Sequence, residues 1–405
     1  MRVAVVTGSR ADYGLLRPTL DALERDADFE PCLLVGAMHL NPLYGDTIAE
    51  IEADGHAIAA LVPVPAPVCE KADFARNLGH ATVAFSEALA ACEPDVLLIV
   101  GDRFEAFAAA LAALGRALPV AHLHGGELSE GSLDDAMRHC ITKLSHLHLV
   151  ATRAYAERVL QLGEEPWRIH LVGAVAIESI RALALLDRDQ LARALELDGL
   201  PVPLIALTFH AASLAADHAA AQARALTEAV DEVLEDRGCV VVTLPNDDPG
   251  SISVRETLRM WADARAHVHT FAALGQLRYL SLLAHADVVL GNSSSAIIEA
   301  PSFGVPVVNV GERQRGRLTA ANVISCPARR EAIACALDTA LDPAFRASLE
   351  GMENPYDHGD VSARVLEALS AAPLEKLVHK RFFDLPDDSW RGRLRFGLAT
   401  TAETV

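Results

Sequence analysis

Residues 119–140, PVAHLHGGELSEGSLDDAMRHC, set His122, His124, Glu127, Glu130, Asp134 and Asp135 directly after an apolar run. Ionisable groups at the end of a buried strand are suited to proton transfer, which needs positioned acids and bases. Ser132 and Asp135 have capping-box spacing, which gives Asp135 a structural task. Asp134 has no such task and is either a solvated first-turn acid or part of a site with His124 and Glu127. Strand alternation predicts His122 and His124 on one face, but no third ligand stands at a recognisable spacing, so no metal is expected. GDRFE offers Asp102 and Arg103, either as a rim ion pair or as a carboxylate held in a water-poor cleft. TFHAAS offers His210 after another apolar run.

A second chemistry lies further along the chain. GNSSSAIIEAPSFG places three serines where a strand hands over to a helix, so hydroxyls, free N–H groups and the helix dipole favour an anion there. With Ser295 as the cap, Glu299 falls outside a capping box, which leaves its carboxylate free to accept ribose hydroxyls. GERQRGR supplies Arg313, Arg315 and Arg317, phosphate-chelating or simply solvated. TGSRADYG lacks both GxGxxG and GxxxxGK[ST], so neither a dinucleotide fingerprint nor a P-loop is present. Arg10 in that segment is placed to meet a diphosphate across a cleft, and Asp12 to cap the helix or hold a neighbour.

The elements that carry these loops alternate. RVAVVTG, PCLLVGAM, DVLLIVGDR, PVAHLHGG and LHLVAT read as strands of near-continuous apolar character with helices between them, as a parallel sheet covered on both faces requires. One predicted helix runs from about Leu15 to Arg25. The alternation breaks near residues 178–203 and restarts with LIALTFH, CVVVTLPN, DVVLGNS and PVVNVG. The expected architecture is α/β, two doubly wound Rossmann-like domains facing a cleft: residues 1–178 with the sugar-side acids, 179–385 with the anion site, and a tail over 386–405. Ligands in such sheets sit beyond the strands' carboxyl ends, where all the loops above fall.

Bulk properties narrow the function. The 405 residues exceed one ordinary core of roughly 150 residues. A net charge of −20 argues against nucleic acid, whose affinity comes from Lys and Arg contacts to phosphate. Seven scattered cysteines without CxxC suit a reduced, cytoplasmic protein. No signal peptide or membrane span is read.

Taken together, TGSRADYG, GDRFE, HLHGGE followed by DDAMRHCITKLSHLH, TFH, and GNSSSAIIEAPSFGVPVVNVGERQRGR resemble the hydrolysing UDP-N-acetylglucosamine 2-epimerases. The similarity runs from residue 1 to 385 and spans both domains. It implies a GT-B type fold and release of a free manno sugar and UDP, through a glycal that is then hydrated. It implies no cofactor, a homodimer or homotetramer, and a sugar that is N-acetylglucosamine or a diacetamido-trideoxy analogue. Residue by residue, it implies that Arg10, Ser293, Ser294, Glu299 and Arg313 hold UDP and that His39 lies near the sugar. Asp102, Asp134 and His210 match catalytic positions, Glu127 matches the acid of HGGE, and His124 stands where non-hydrolysing relatives carry glutamate. Arg103 belongs to the substrate-binding set. TFHAAS departs from the pattern, in which proline follows the histidine. A non-hydrolysing epimerase, a glycosyltransferase and a non-catalytic sugar-nucleotide sensor are the alternatives.

Overall fold

The structure is a computed structural model that describes residues 1–41, 47–64, 73–212, 217–245 and 250–385, without the side chains of residues 10 and 11. The expected tail, 386–405, lies outside the described residues. Two parallel sheets form the frame. The first has seven strands: β1 (Arg2–Thr7), β2 (Glu30–Gly36), β3 (Ile58–Val62), β4 (Val96–Val100), β5 (Val120–Leu123), β6 (Leu147–Val150) and β7 (Ile169–Leu171), ordered β3-β2-β1-β4-β5-β6-β7. The second has six: β8 (Leu204–Thr208), β9 (Cys239–Thr243), β10 (Val268–Phe271), β11 (Val288–Gly291), β12 (Val307–Val310) and β13 (Val323–Cys326), ordered β10-β9-β8-β11-β12-β13. The α/β two-sheet expectation holds. Strand order reverses between β1 and β4 in one sheet and between β8 and β11 in the other, and a crevice opens at such points.

The sequence explains the layers. Every residue of β4, VLLIV, is buried, as a central strand under two helix layers must be. Among the helices of the first lobe are α1 (Arg10–Arg25), α2 (Ile48–Asp54), α3 (Phe74–Cys92), α4 (Phe104–Gly115), α5 (Leu133–Leu144), α6 (Arg153–Gln161) and α7 (Val175–Ala182). The Ala-rich α4 buries Ala108, Ala109, Ala110, Ala112 and Ala113, which lets its neighbours approach closely.

Two expectations change. Helix α1 begins at Arg10, not near Leu15, because Ser9 Oγ accepts the Asp12 N–H at 3.3 Å and caps it. Gly14, read as loop, is inside the helix. The chain also returns to the first lobe: α15 (Val361–Ala371) buries Val361, Val365, Ala368 and Leu369 in the same core as Val3, Val5 and Leu98 of the first sheet. The boundary 179–385 therefore includes a segment whose packing belongs to residues 1–178. The apolar side chains of α15 fit the first core, and nothing in their spacing said which lobe they would join.

Among the described residues no helix is long and apolar enough to cross a membrane. Cys32, Cys92, Cys140, Cys239, Cys326 and Cys335 are free.

Candidate active site

A cleft of about 420 Å³ lies between the carboxyl ends of the two sheets. Asp102, Arg103, His124, Glu127 and Asp134 line it from the first lobe, and His210, Ser293, Ser294, Glu299 and Arg313 from the second. Two sets of residues far apart in sequence thus face one space. Arg10 opens α1, and its side chain lies outside the described residues. His39 does not line the cleft. Its ring nitrogens meet Thr7 Oγ1 at 3.0 Å and Thr47 Oγ1 at 2.9 Å, which holds it buried behind Thr47.

On the first lobe, Asp102 follows β4 and pairs with Arg138 Nη2 from α5. Arg138 is 2% exposed, and its Nε and Nη1 have no hydrogen-bond partner among the described residues. Sequence reasoning passed over this arginine because it sits mid-helix in DDAMRHC, where a surface ion pair is the ordinary reading. Arg103 Nε donates to Glu105 at 2.8 Å and lies 3.9 Å from Asp12. Burial pushes the Asp12 carboxyl up to about 7 against the pull of Arg103. Asp12 lines the cleft, and the capping task belongs to Ser9. Ser132 caps α5 through the Asp134 N–H and also donates to Asp134 Oδ2 at 2.9 Å. Asp135 accepts the Ser129 N–H at 2.5 Å, a turn-fixing role in place of the expected box.

His122 and His124 do not share a face. Strand β5 ends at Leu123, and His124 takes φ +64°, which turns its ring into the cleft. His122 stays inside, donating from Nε2 to Gly101 O at 2.7 Å, and burial lowers its pKa to about 3. His124 Nε2 accepts the Val175 N–H at 3.4 Å, so Nδ1 carries the hydrogen and donates to Glu127 at 2.6 Å. Burial alone would raise Glu127, but Arg317 and His124 outweigh it and bring its pKa to about 2. Among the described residues, the only three metal-ligand groups at binding distance are Asp21, Glu24 and His56, none of which lines the cleft.

On the second lobe, the short helix α12 (Ser294–Ile298) starts at the end of β11. Ser293, not Ser295, is its cap, accepting from the Ser295 N–H. Ser295 instead donates to Glu299, whose burial pushes its carboxyl up to about 7. Asn292, which sequence reasoning quoted without assigning, organises this end. Its side chain accepts the His210 N–H at 2.7 Å and donates to the His210 carbonyl at 2.9 Å. Its own carbonyl accepts from Arg313 and Gln314. An Asn holding both backbone groups of a histidine leaves no pattern in a single sequence. Of the remaining arginines, Arg315 is an exposed surface group on Glu130 and Glu312, whereas Arg317 is buried in the cleft.

The lobes touch at two glycines of the first lobe, Gly131 and Gly14. A Cβ on Gly131 would stand 2.7 Å from the Glu312 carbonyl oxygen. Gln276, from α11 (Gly275–His285), donates to the Gly14 carbonyl at 2.8 Å across the cleft.

Two parallel-sheet lobes with a serine-capped helix start facing a set of acids define a GT-B type α/β protein. Residues 21–370 match the model of the UDP-N-acetylglucosamine 2-epimerase family, and the chain belongs to that family. A Legionella pneumophila relative, UDP-N,N'-diacetylbacillosamine 2-epimerase (hydrolyzing), is 36% identical over 378 residues, 93% of this chain and 97% of the relative. A Campylobacter jejuni relative, GDP/UDP-N,N'-diacetylbacillosamine 2-epimerase (hydrolyzing), is 32% identical over 390 residues, 95% and 99% of the two chains. The solved UDP-GlcNAc 2-epimerase of Neisseria meningitidis bound to UDP-GlcNAc superposes with a TM-score of 0.77 at 19% identity, over 92% of this chain and 100% of that one, a likeness of fold.

Proposed function

We propose that this enzyme is a hydrolysing 2-epimerase that turns a UDP-linked 2-acetamido sugar into the free manno sugar and UDP. The observation that carries the reading is that the serine-capped helix with Arg313 and the acids of the first lobe line one cleft. Ser293, Ser294 and the start of α12 would receive the diphosphate, with Arg313 neutralising charge as it leaves. Glu299 would accept ribose hydroxyls. The sugar would then lie toward Asp102, Asp134, Glu127 and His210.

The chemistry needs that division. No carbonyl stands beside C2 of the sugar, so its hydrogen becomes acidic only as the C1–O bond breaks. The bonding pair of C1–O leaves with UDP, a carboxylate takes the C2 proton, and the remaining pair forms the C1=C2 bond of a glycal. Water then adds through oxygen at C1, losing a proton to a carboxylate, while an acid delivers a proton to C2 from the other face. Arg138 holds Asp102 in place for this exchange.

The identities to the Legionella and Campylobacter enzymes favour the 2,4-diacetamido-6-deoxy sugar nucleotide as substrate. Leu15, Met38 and Ala176 on the first-lobe wall are suited to a methyl and an acetamido group. UDP-GlcNAc is the second reading, favoured by the Neisseria meningitidis UDP-N-acetylglucosamine 2-epimerase, 34% identical over 332 residues. The free cysteines fit a cytoplasmic enzyme. A homodimer or homotetramer is the expected assembly, read by light scattering.

Turnover in deuterated water, followed by proton NMR, tests the reading. Deuterium at C2 of a released manno sugar, with one UDP per sugar, is expected, and relative rates select the substrate. Retention of protium at C2, or an absolute need for an acceptor, overturns it.

A further inference from the structure

Arg317 comes from the second lobe, yet its guanidinium ends in the first. Its Nη2 is 3.1 Å from Glu127 Oε2 and its Nε donates to the Leu128 carbonyl at 3.4 Å. Both side chains are almost fully buried, at 6% and 3% exposure. The Arg317 backbone is fixed by its neighbours. The Leu318 N–H donates to the Tyr155 hydroxyl, and a Cβ on Gly316 would meet Leu128 Cδ1 at 2.8 Å. Glu130 repeats the contact outside, its N–H on the Arg315 carbonyl and its carboxylate on Arg315 Nε at 2.7 Å.

We propose that Arg317 is a positioning residue that makes Glu127 usable only while the two lobes are closed. The inference rests on the reading above of Glu127 as part of the catalytic set. The groups acting on Glu127 are His124 from the end of β5, Arg138 from α5, Tyr155 from α6, Tyr356, and Arg317, with Asp102 acting on Arg317 in turn. Arg317 alone of these is a cation from the opposite lobe in contact with the carboxylate. His124 gives Glu127 a hydrogen bond from Nδ1 and Arg138 pairs with Asp102, both from the first lobe itself. In the closed cleft both groups are buried, and Glu127 stripped of its cation there would take up a proton. Arg317 thus keeps Glu127 an anion at the moment positive charge builds at C1, and it does so only while its lobe is in place.

The test is the pH dependence of kcat in Arg317→Gln and Arg317→Lys, with Glu127→Gln and the double variant beside them. Arg317→Gln is expected to move the acidic limb of kcat up by two pH units or more, and so to lower kcat at least tenfold one pH unit below the shifted limb. Arg317→Lys is expected to restore part of that shift. The double variant is expected to lose no more than threefold beyond Glu127→Gln alone. An acidic limb unmoved in both arginine variants, or losses that multiply, would overturn the proposal. A readout independent of turnover separates it from the functional reading. With 13C-labelled glutamate carboxyls, the resonance missing from Glu127→Gln should titrate below pH 4 in the UDP-bound protein and higher in both arginine variants. Identical titration in all three sinks the coupling even if the enzyme proves active, and a shift supports it even if no candidate sugar is turned over.

Discussion

Glu299 and Asn292 show what single residues contribute here. Glu299 is a carboxyl in a desolvated site where, among the described residues, the Ser295 hydroxyl favours its charge, and burial pushes its pKa up to about 7 against an ordinary 4.5. A raised carboxyl pKa contributes stability that is complete below the unfolded value and is lost as pH rises through the folded one. The ligand-free protein should therefore lose about 2–3 kcal/mol between pH 5 and pH 8 from this group. Glu299→Gln should abolish that loss, so its urea midpoint exceeds the parent's at pH 8 and matches it at pH 4. Asn292→Ala removes two buried hydrogen bonds to the His210 backbone. It should cost about 2 kcal/mol of stability and lower kcat more than it raises KM, since His210 drifts while Arg313 keeps its acceptor on the residue 292 carbonyl. A raised KM with kcat unchanged would mean that Asn292 serves binding alone.

The elements were the most legible part of the sequence, and the reason is periodicity. Apolar runs such as VLLIV and RVAVVT have one solution in a parallel sheet, and both became buried strands. The loops beyond them followed, and Asp102, Asp134, His210, Ser293 and Arg313, picked out by position, line the cleft. Helix α1 was read short because Gly14 resembles a turn residue, whereas it lies inside the helix and its carbonyl accepts from Gln276. The His122–His124 pairing failed because one residue with positive φ ends the alternation, and a non-glycine there gives no warning in the sequence. Arg138 and Arg317 were missed or left open because an ion pair between distant segments has no local spacing. The loop carrying Gly131 tests the element-scale argument. Gly131→Ala pushes a methyl against the Glu312 backbone, and it should raise KM for the sugar nucleotide about tenfold or more, an order set by ~1.4 kcal/mol of lost closure. The melting temperature should change little. Unchanged KM would show that the two loops need not meet.

At the scale of the whole molecule, the lobes are not two beads in series. Val361, Val365, Ala368 and Leu369 complete the first core from the far end of the chain. Burying side chains of this kind is worth about 1.5–3 kcal/mol each, against a total stability of about 5–15 kcal/mol for a typical domain. Residues 1–178 expressed alone should therefore be largely unfolded by circular dichroism, and joining residues 351–385 to them through a flexible linker should recover a cooperative transition. A folded 1–178 fragment would contradict this account of the core.

That return path also sets how the molecule can move. A body tied by a single tether can swivel about it in any sense, but one tied by two separate spans can only swing like a door on a pair of pins. Loading and discharge of the cleft then follow one angular coordinate. On the proposal made for Arg317, each swing would return the same guanidinium to the same carboxylate, without a search over orientations.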